Sequence, residues 1–232
     1  MKGKLSRVVP FSLFLLSLGT AFLTASCGSS SVRYRFIMAS TSVPTNVDLQ
    51  VDGKTVQSAV GYNQSASYHT ISSGSHKFAL FATGTTTSPY LSADVSLDKG
   101  DTTLIAESPF ANMSLNPYTD DNTAPTTGNA KLRIVNASPS VPSGTCDVYI
   151  VQNGQGIAGQ SPQLPNFTFQ TASSYQTLSA GAYDIFVTVN GTQTIIANMI
   201  NLNLESGKIR TVVILDQQTG GGPFQMLLLT DL

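Results

Sequence analysis

The sequence predicts an all-β chain, with two tandem antiparallel β-sandwich domains behind an N-terminal signal segment. Three observations carry this expectation. Short runs alternate apolar and polar residues with a period of two, tight-turn dipeptides separate them, and one ordered set of runs recurs in the second half of the chain. About seven strands per copy, at the spacing of short strands and turns, make an immunoglobulin-like sandwich the expected architecture. The chain has no Trp and cannot supply that fold's buried tryptophan, so the expectation concerns architecture only.

The first segment sets the compartment. A basic start (Lys2, Lys4, Arg7) leads into an apolar run from Val8 to Leu23, then Thr24-Ala25-Ser26-Cys27. That is the order of a bacterial export signal, and the run is too short for a good membrane-spanning helix. A cysteine directly after small residues resembles a lipobox, where the signal is cut before Cys27 and its thiol carries a diacylglycerol. Thr24 stands where Leu is commonest. Residues 1–26 are therefore expected to be removed, with 27–31 forming the lipidated Cys27 and a Gly-Ser tether. The membrane is the expected partner through this anchor. Gly28 in place of Asp after the cysteine favours the outer membrane if the bacterium has two.

Composition suits an extracytoplasmic β-protein. Losing Lys2, Lys4 and Arg7 with the signal reduces the 12 basic residues by three against 13 acidic ones, so the mature chain is mildly acidic. A nucleic-acid partner is excluded on this ground, because it would need a concentrated basic face. Only 11% of residues are charged. The abundance of Ser, Thr, Asn and Gly suits turns and ladders better than helix interiors.

The duplication is legible block by block. Tyr34–Ser40 pairs with Leu132–Ser138, Val43-Pro44 with Val141-Pro142, and Val47-Asp48-Leu49 with Cys146-Asp147-Val148. Ser67–Ile71 pairs with Ser174–Leu178, Leu97–Gly100 with Leu204–Gly207, and Pro109-Phe110 with Pro223-Phe224. In copy one Val32, Tyr34, Phe36 and Met38 alternate with Arg33, Arg35 and Ile37, and Leu49 and Val51 with Asp48 and Gln50; in copy two Val148 and Ile150 alternate with Asp147 and Tyr149. Asp52-Gly53, Asn153-Gly154 and Asn190-Gly191 are hairpin dipeptides that tolerate positive φ. The run Phe224–Leu229 reads as the closing buried strand of copy two. These readings divide the chain into a first sandwich over 32–118, a polar Pro- and Gly-containing linker over 119–129, and a second sandwich over 130–232.

With the copies aligned, Leu132-Arg133-Ile134-Val135-Asn136-Ala137-Ser138-Pro139, followed by Cys146-Asp147-Val148-Tyr149, resembles the bacterial domain of unknown function 4397. Copy one carries a degenerate version, with Met38 for Asn136 and Thr41 for Pro139. The resemblance implies an exported protein with tandem copies. The family has no established activity, so it supplies a fold expectation and no catalytic residues.

Candidate site residues are few. Arg35 and Asp48 recur as Arg133 and Asp147, each on the strand face opposite the large apolar residues, and contact across adjacent strands would make them structural ion pairs or a duplicated ligand site. His69 and His76 are matched by Gln176 and Tyr183, and no Cys or acidic cluster accompanies them, so no metal is expected there. Asp98 with Asp101, and Asp120 with Asp121, lack the spacing of a calcium loop and read as acidic turns. Cys146 is matched by Val47, which makes it a core residue. No nucleophile elbow and no base paired with a nucleophile emerge, so neither enzyme nor cofactor is expected. The function expected is a lipid-anchored, non-catalytic envelope module that binds a glycan or protein; the alternative is a structural subunit of a surface assembly whose edge strands pair with a partner.

Overall fold

The computed structural model describes Gly3 and residues 30–231, so the signal segment and Cys27 lie outside the described residues. Copy one comprises β1 (Ser31–Met38), β2 (Val47–Val51), β3 (Lys54–Val60), β4 (Gln64–Ser65), β5 (His69–Ser72), β6 (Gly74–Ala82), β7 (Leu91–Leu97), β8 (Asp101–Glu107) and β9 (Ser114–Asp120). Copy two comprises β10 (Asn129–Asn136), β11 (Thr145–Gln152), β12 (Leu164–Thr168), β13 (Thr171–Ala172), β14 (Gln176–Ser179), β15 (Gly181–Val189), β16 (Ile195–Leu204), β17 (Ile209–Leu215) and β18 (Gln225–Thr230). Two single 3-10 turns, Phe110–Asn112 and Pro142–Gly144, are the helical elements among the described residues.

Each copy is a two-sheet sandwich. In copy one β3-β2-β6-β7 form one sheet, and β1 is flanked by β4 and β5 on one side and by β8-β9 on the other. Copy two repeats this order as β12-β11-β15-β16, and as β13 and β14 beside β10-β17-β18. One ladder per copy departs from the antiparallel expectation: β1 with β8 and β10 with β17 are parallel. Parallel neighbours need a long crossover, and here nearly the whole copy supplies it.

Local chemistry fixes the elements. Asp52 and Gly53 both take positive φ, at 50° and 76°, which matches the right-handed twist of the strands they join and closes β2 on β3 in a two-residue hairpin. Leu49 and Leu80 point into the first sandwich core beside Phe36 and Leu104; Val148, Ile185, Ile134 and Val212 do the same in the second.

A third core joins the copies. Ile37, Ala39, Ile105 and Tyr118 from copy one pack with Val135, Ala137, Val213, Leu215 and Leu229 from copy two. The sheets built on β1 and β10 therefore lie face to face, and four β-layers stack in series around three apolar cores. This explains the unbroken apolar run Phe36-Ile37-Met38-Ala39: the strand is buried on both faces, so alternation is lost. The polar stretch between the copies begins later than expected. β9 continues through Thr119 to Asp120, whose carboxylate is buried in the seam, and Lys131 reaches back to Asp121 at 2.6 Å.

Candidate functional site

Arg35 and Arg133 are both buried, and each reaches the other copy. Arg35 donates from Nε to Thr103 Oγ1 at 2.8 Å and from Nη1 to the Thr230 carbonyl at 3.2 Å, while Nη2 pairs with Asp231. Arg133 donates from Nε to Thr211 Oγ1 at 3.2 Å and from Nη1 to the Thr119 carbonyl at 2.9 Å, while Nη2 pairs with Asp120. Tyr68 and Tyr175 lie against the two guanidinium planes at 4.9 and 4.7 Å, and their hydroxyls donate to Asp120 and Asp231. Planar, five-donor guanidinium suits such a site, where every donor direction must be used before the charge can be buried. The arrangement is a reciprocal exchange: each copy lends its first-strand Arg to an Asp at the end of the other copy, Asp120 closing β9 and Asp231 following β18.

The expected contact of Arg35 with Asp48, and of Arg133 with Asp147, is corrected by this geometry. β1 and β2 belong to different sheets, as do β10 and β11, so the paired residues face away from each other. Asp48 accepts the backbone N–H groups of Ala59 and Gly84 at 2.8 and 2.9 Å, and Asp147 those of Asn166 and Gly191, both at 2.8 Å. Ala59 and Asn166 are bulge residues at positive φ, 56° and 52°, and the carboxylates hold those bends in place. The two N–H donors keep the Asp48 carboxyl below the usual carboxylate range. Asp184 does the same for the bulge at Asn201, at 2.8 Å.

The remaining candidates are occupied locally. His76 sits between Asp52 Oδ2 at 2.7 Å and the Ser72 carbonyl at 2.8 Å, and the Asp52 carboxylate raises its pKa. His69 stacks on Tyr34, 5.6 Å between ring centres. Asp101 pairs with Arg33. Cys146 is buried, and desolvation pushes its thiol up to about 12. No group of three or more His, Cys, Asp or Glu residues is arranged to hold a metal ion among the described residues.

One surface feature escaped the sequence reading. β16 and β18 are the last strands of their respective sheets, and they border each other on one side of copy two. Between them runs a trough of about 490 Å³ lined by Met199, Ile200, Leu202 and Leu228 together with Asn201, Asn203, Glu205, Arg210 and Thr230. Ile200 is 52% exposed and Leu228 40%, and Ile195 on the same strand is 46% exposed. The expectation of a closing buried strand near Phe224–Leu229 is thus corrected, since β18 is an edge with one open face. Copy one places Asp94 and Pro117 at the matching positions: Asp94 opposes Lys77 as Ile200-Asn201 flank Asp184, and Pro117 opposes Leu104 as Leu228 opposes Val212. The signal was present in the aligned copies, but the bulge at Asn201 displaces it by one residue.

This geometry defines a tandem β-sandwich protein whose buried polar groups serve its own seam and bends; among the described residues, Ile195, Ile200 and Leu228 on β16 and β18 are exposed large apolar side chains, as is Val56 on β3. Residues 32–149 and 141–232 each match the family described as Domain of unknown function (DUF4397), and the chain belongs to that family. No curated protein matches the chain. Among solved structures it is similar to a family 26 carbohydrate-binding module of Eubacterium rectale Amy13K in complex with maltoheptaose, at 9% identity and a TM-score of 0.27, covering 85% of this chain and 96% of that one. It is also similar to a structure described as α-glucan binding by a streptococcal virulence factor, at 10% identity, a TM-score of 0.25 and coverage of 82% and 97%. A candidate cell adhesion protein of Bacteroides fragilis NCTC 9343 follows at 8% identity, a TM-score of 0.22 and coverage of 88% and 98%. Scores this low transfer no property to the chain.

Proposed function

We propose that the protein is a non-catalytic binding or adhesion module of the bacterial cell envelope, held at the membrane by lipid on Cys27. The anchor is supported by the order of basic start, apolar run and small residues before that cysteine. The binding role is carried by a single observation, the trough between β16 and β18, where exposed Ile200 and Leu228 lie among polar and charged side chains. Its lining favours protein over glycan. Sugar rings stack on aromatic faces, and the trough offers aliphatic side chains, amides and two free strand edges instead.

Two measurements test this. Cells given a labelled fatty acid should incorporate it into the wild-type chain and not into Cys27→Ala, which should leave the membrane fraction. Unlabelled wild-type chain would refute the anchor. The chain beginning at Gly28 should bind an envelope protein through the trough and remain silent on a glycan array. Glycan binding that survives Ile200→Asp would refute the trough as the binding surface.

A further inference from the structure

The free edge of β16 is unusual for an exposed strand. It runs for ten residues, Ile-Ile-Ala-Asn-Met-Ile-Asn-Leu-Asn-Leu, without one charged side chain. Exposed edges are templates for pairing, and folded proteins blunt them with charge, proline, bulges or short length; β16 has register shifts against β15 but neither charge nor proline. Copy one does so at the same place in its fold. Asp94 is the middle residue of β7, and Pro117 removes a backbone donor from the neighbouring edge β9.

From this contrast we propose that β16 pairs antiparallel with β16 of a second copy of this chain, making a two-fold dimer through copy two. This deepens the binding-module reading and rests on it, naming a second copy as the protein partner. The charge pattern selects the occupant. In a two-fold antiparallel pair each residue meets its mirror about the strand's midpoint. For β7 that midpoint is Asp94, so self-pairing would set carboxylate against carboxylate. For β16 the midpoint falls between Met199 and Ile200, so self-pairing would set these two against each other at the centre, Ala197 against Leu202 and Ile195 against Leu204, with no like charges along the strand. The bulge at Asn201 gives its N–H to Asp184 and leaves Ile200 turned to solvent at this midpoint.

The trough is also continuous with an interface the chain already makes. Thr230 lines it, and the Thr230 carbonyl accepts Arg35 from copy one, so the surface offered to the second chain borders the seam between the copies. Lipid anchoring would favour the same outcome, because confinement to one membrane raises the effective concentration of each chain for its neighbour.

The test is the mass in solution of the chain beginning at Gly28, which retains all four sheets, measured by sedimentation across a wide range of concentration. The wild type should show twice the chain mass and dissociate on dilution. Ile200→Asp should be monomeric at every concentration with its melting temperature retained, and Asn203→Lys should behave likewise if Ile200→Asp fails to fold. Asp94→Ile should add a second pairing edge and drive the chain to higher oligomers. A wild type that stays monomeric overturns the proposal, and so does a dimer unaffected by both β16 substitutions. A monomer that takes up an extended apolar peptide on β16 would also overturn it, in favour of a foreign strand, while leaving the binding-module reading intact.

Discussion

Copies one and two share a buried frame and differ at one rim. Both place an Arg from the first strand over a Tyr ring, anchor it on a Thr, and hand it to an Asp at the end of the other copy. At the sandwich mouths the resemblance ends. Copy one lines its mouth with Ser96, Asp98, Lys99, Thr102, Pro117 and Thr119, whereas copy two uses Ile200, Leu202 and Leu228 among its lining residues. The seam must satisfy two buried charges at once, so neither half can change without stranding a group in the other. The mouth carries no such constraint. The duplication thus separates residues that hold the molecule together from residues free to diverge toward a partner.

The sharpest way to break this comparison is to cut the exchange on each side. Arg133→Ala leaves Asp120 buried beside Thr103 and Tyr68, and Arg35→Ala leaves Asp231 buried beside Thr211 and Tyr175. Removing one partner of a buried pair costs about 3–5 kcal/mol, and the reciprocity predicts similar losses on the two sides. Denaturant unfolding of both variants measures this. A loss below about 1 kcal/mol at either site would mean that the seam behaves as an exposed ion pair there.

A smaller effect marks where the seam is not symmetric. Glu107 of β8 is fully buried near the third core, taking hydrogen bonds from Tyr118 and Asn116, and copy two has Leu215 at this position. Burial outweighs those two donors and raises the carboxyl to about 7. Because the folded value lies above the ordinary one, the folded state holds the proton more tightly. Stability is therefore greatest below about 4.5, falls as pH rises toward about 7, and stays at the lower level above that. Glu107→Gln should gain about 2–3 kcal/mol at alkaline pH and almost nothing in acid. Melting temperatures measured across that range decide it, and a pH-independent gain would show that the carboxyl titrates in the fold as it does in the unfolded chain.

How far these features could be read from the sequence depends on what a period of two encodes. It places Arg35 and Asp48 on faces away from the large apolar side chains, but is silent on what covers those faces. The contact expected between them failed because β1 and β2 lie in separate sheets. The hairpin at Asp52-Gly53 was legible because its φ requirement is local. The buried second face of β1 had a signal too, in the uninterrupted run Phe36–Ala39, which is how a strand covered on both sides reads. The trough was harder to see, because it depends on which strands end their sheets and on a bulge that shifts the alignment between Asp94 and Ile200.

Asp48 and Asp147 sharpen the shared frame at a lower energy. Each carboxylate accepts two backbone N–H groups at bends. Asp48→Ala and Asp147→Ala should each cost about 2 kcal/mol, since hydrogen bonds to a charged acceptor are stronger than neutral ones. Proteolysis near Ala59 or Asn166 should quicken in the matching variant. Equal protection of both bends in the variants would show that the strands hold them without the carboxylates.

The smallest expected effect is the most informative about the rim. Ile200 is half in solvent on an edge strand, and an exposed substitution away from a core or buried network usually changes stability by no more than about 0.5 kcal/mol. Ile200→Asp should therefore unfold at nearly the wild-type temperature when the chain is dilute. Leu204, fully buried four residues along the same strand, should cost about 2–5 kcal/mol when cut to Ala. That contrast within one strand separates an apolar residue that the fold requires from one that it leaves available. If Ile200→Asp were as damaging as Leu204→Ala, Ile200 would belong to the second core, and the trough would be its unfinished edge rather than a surface for a partner.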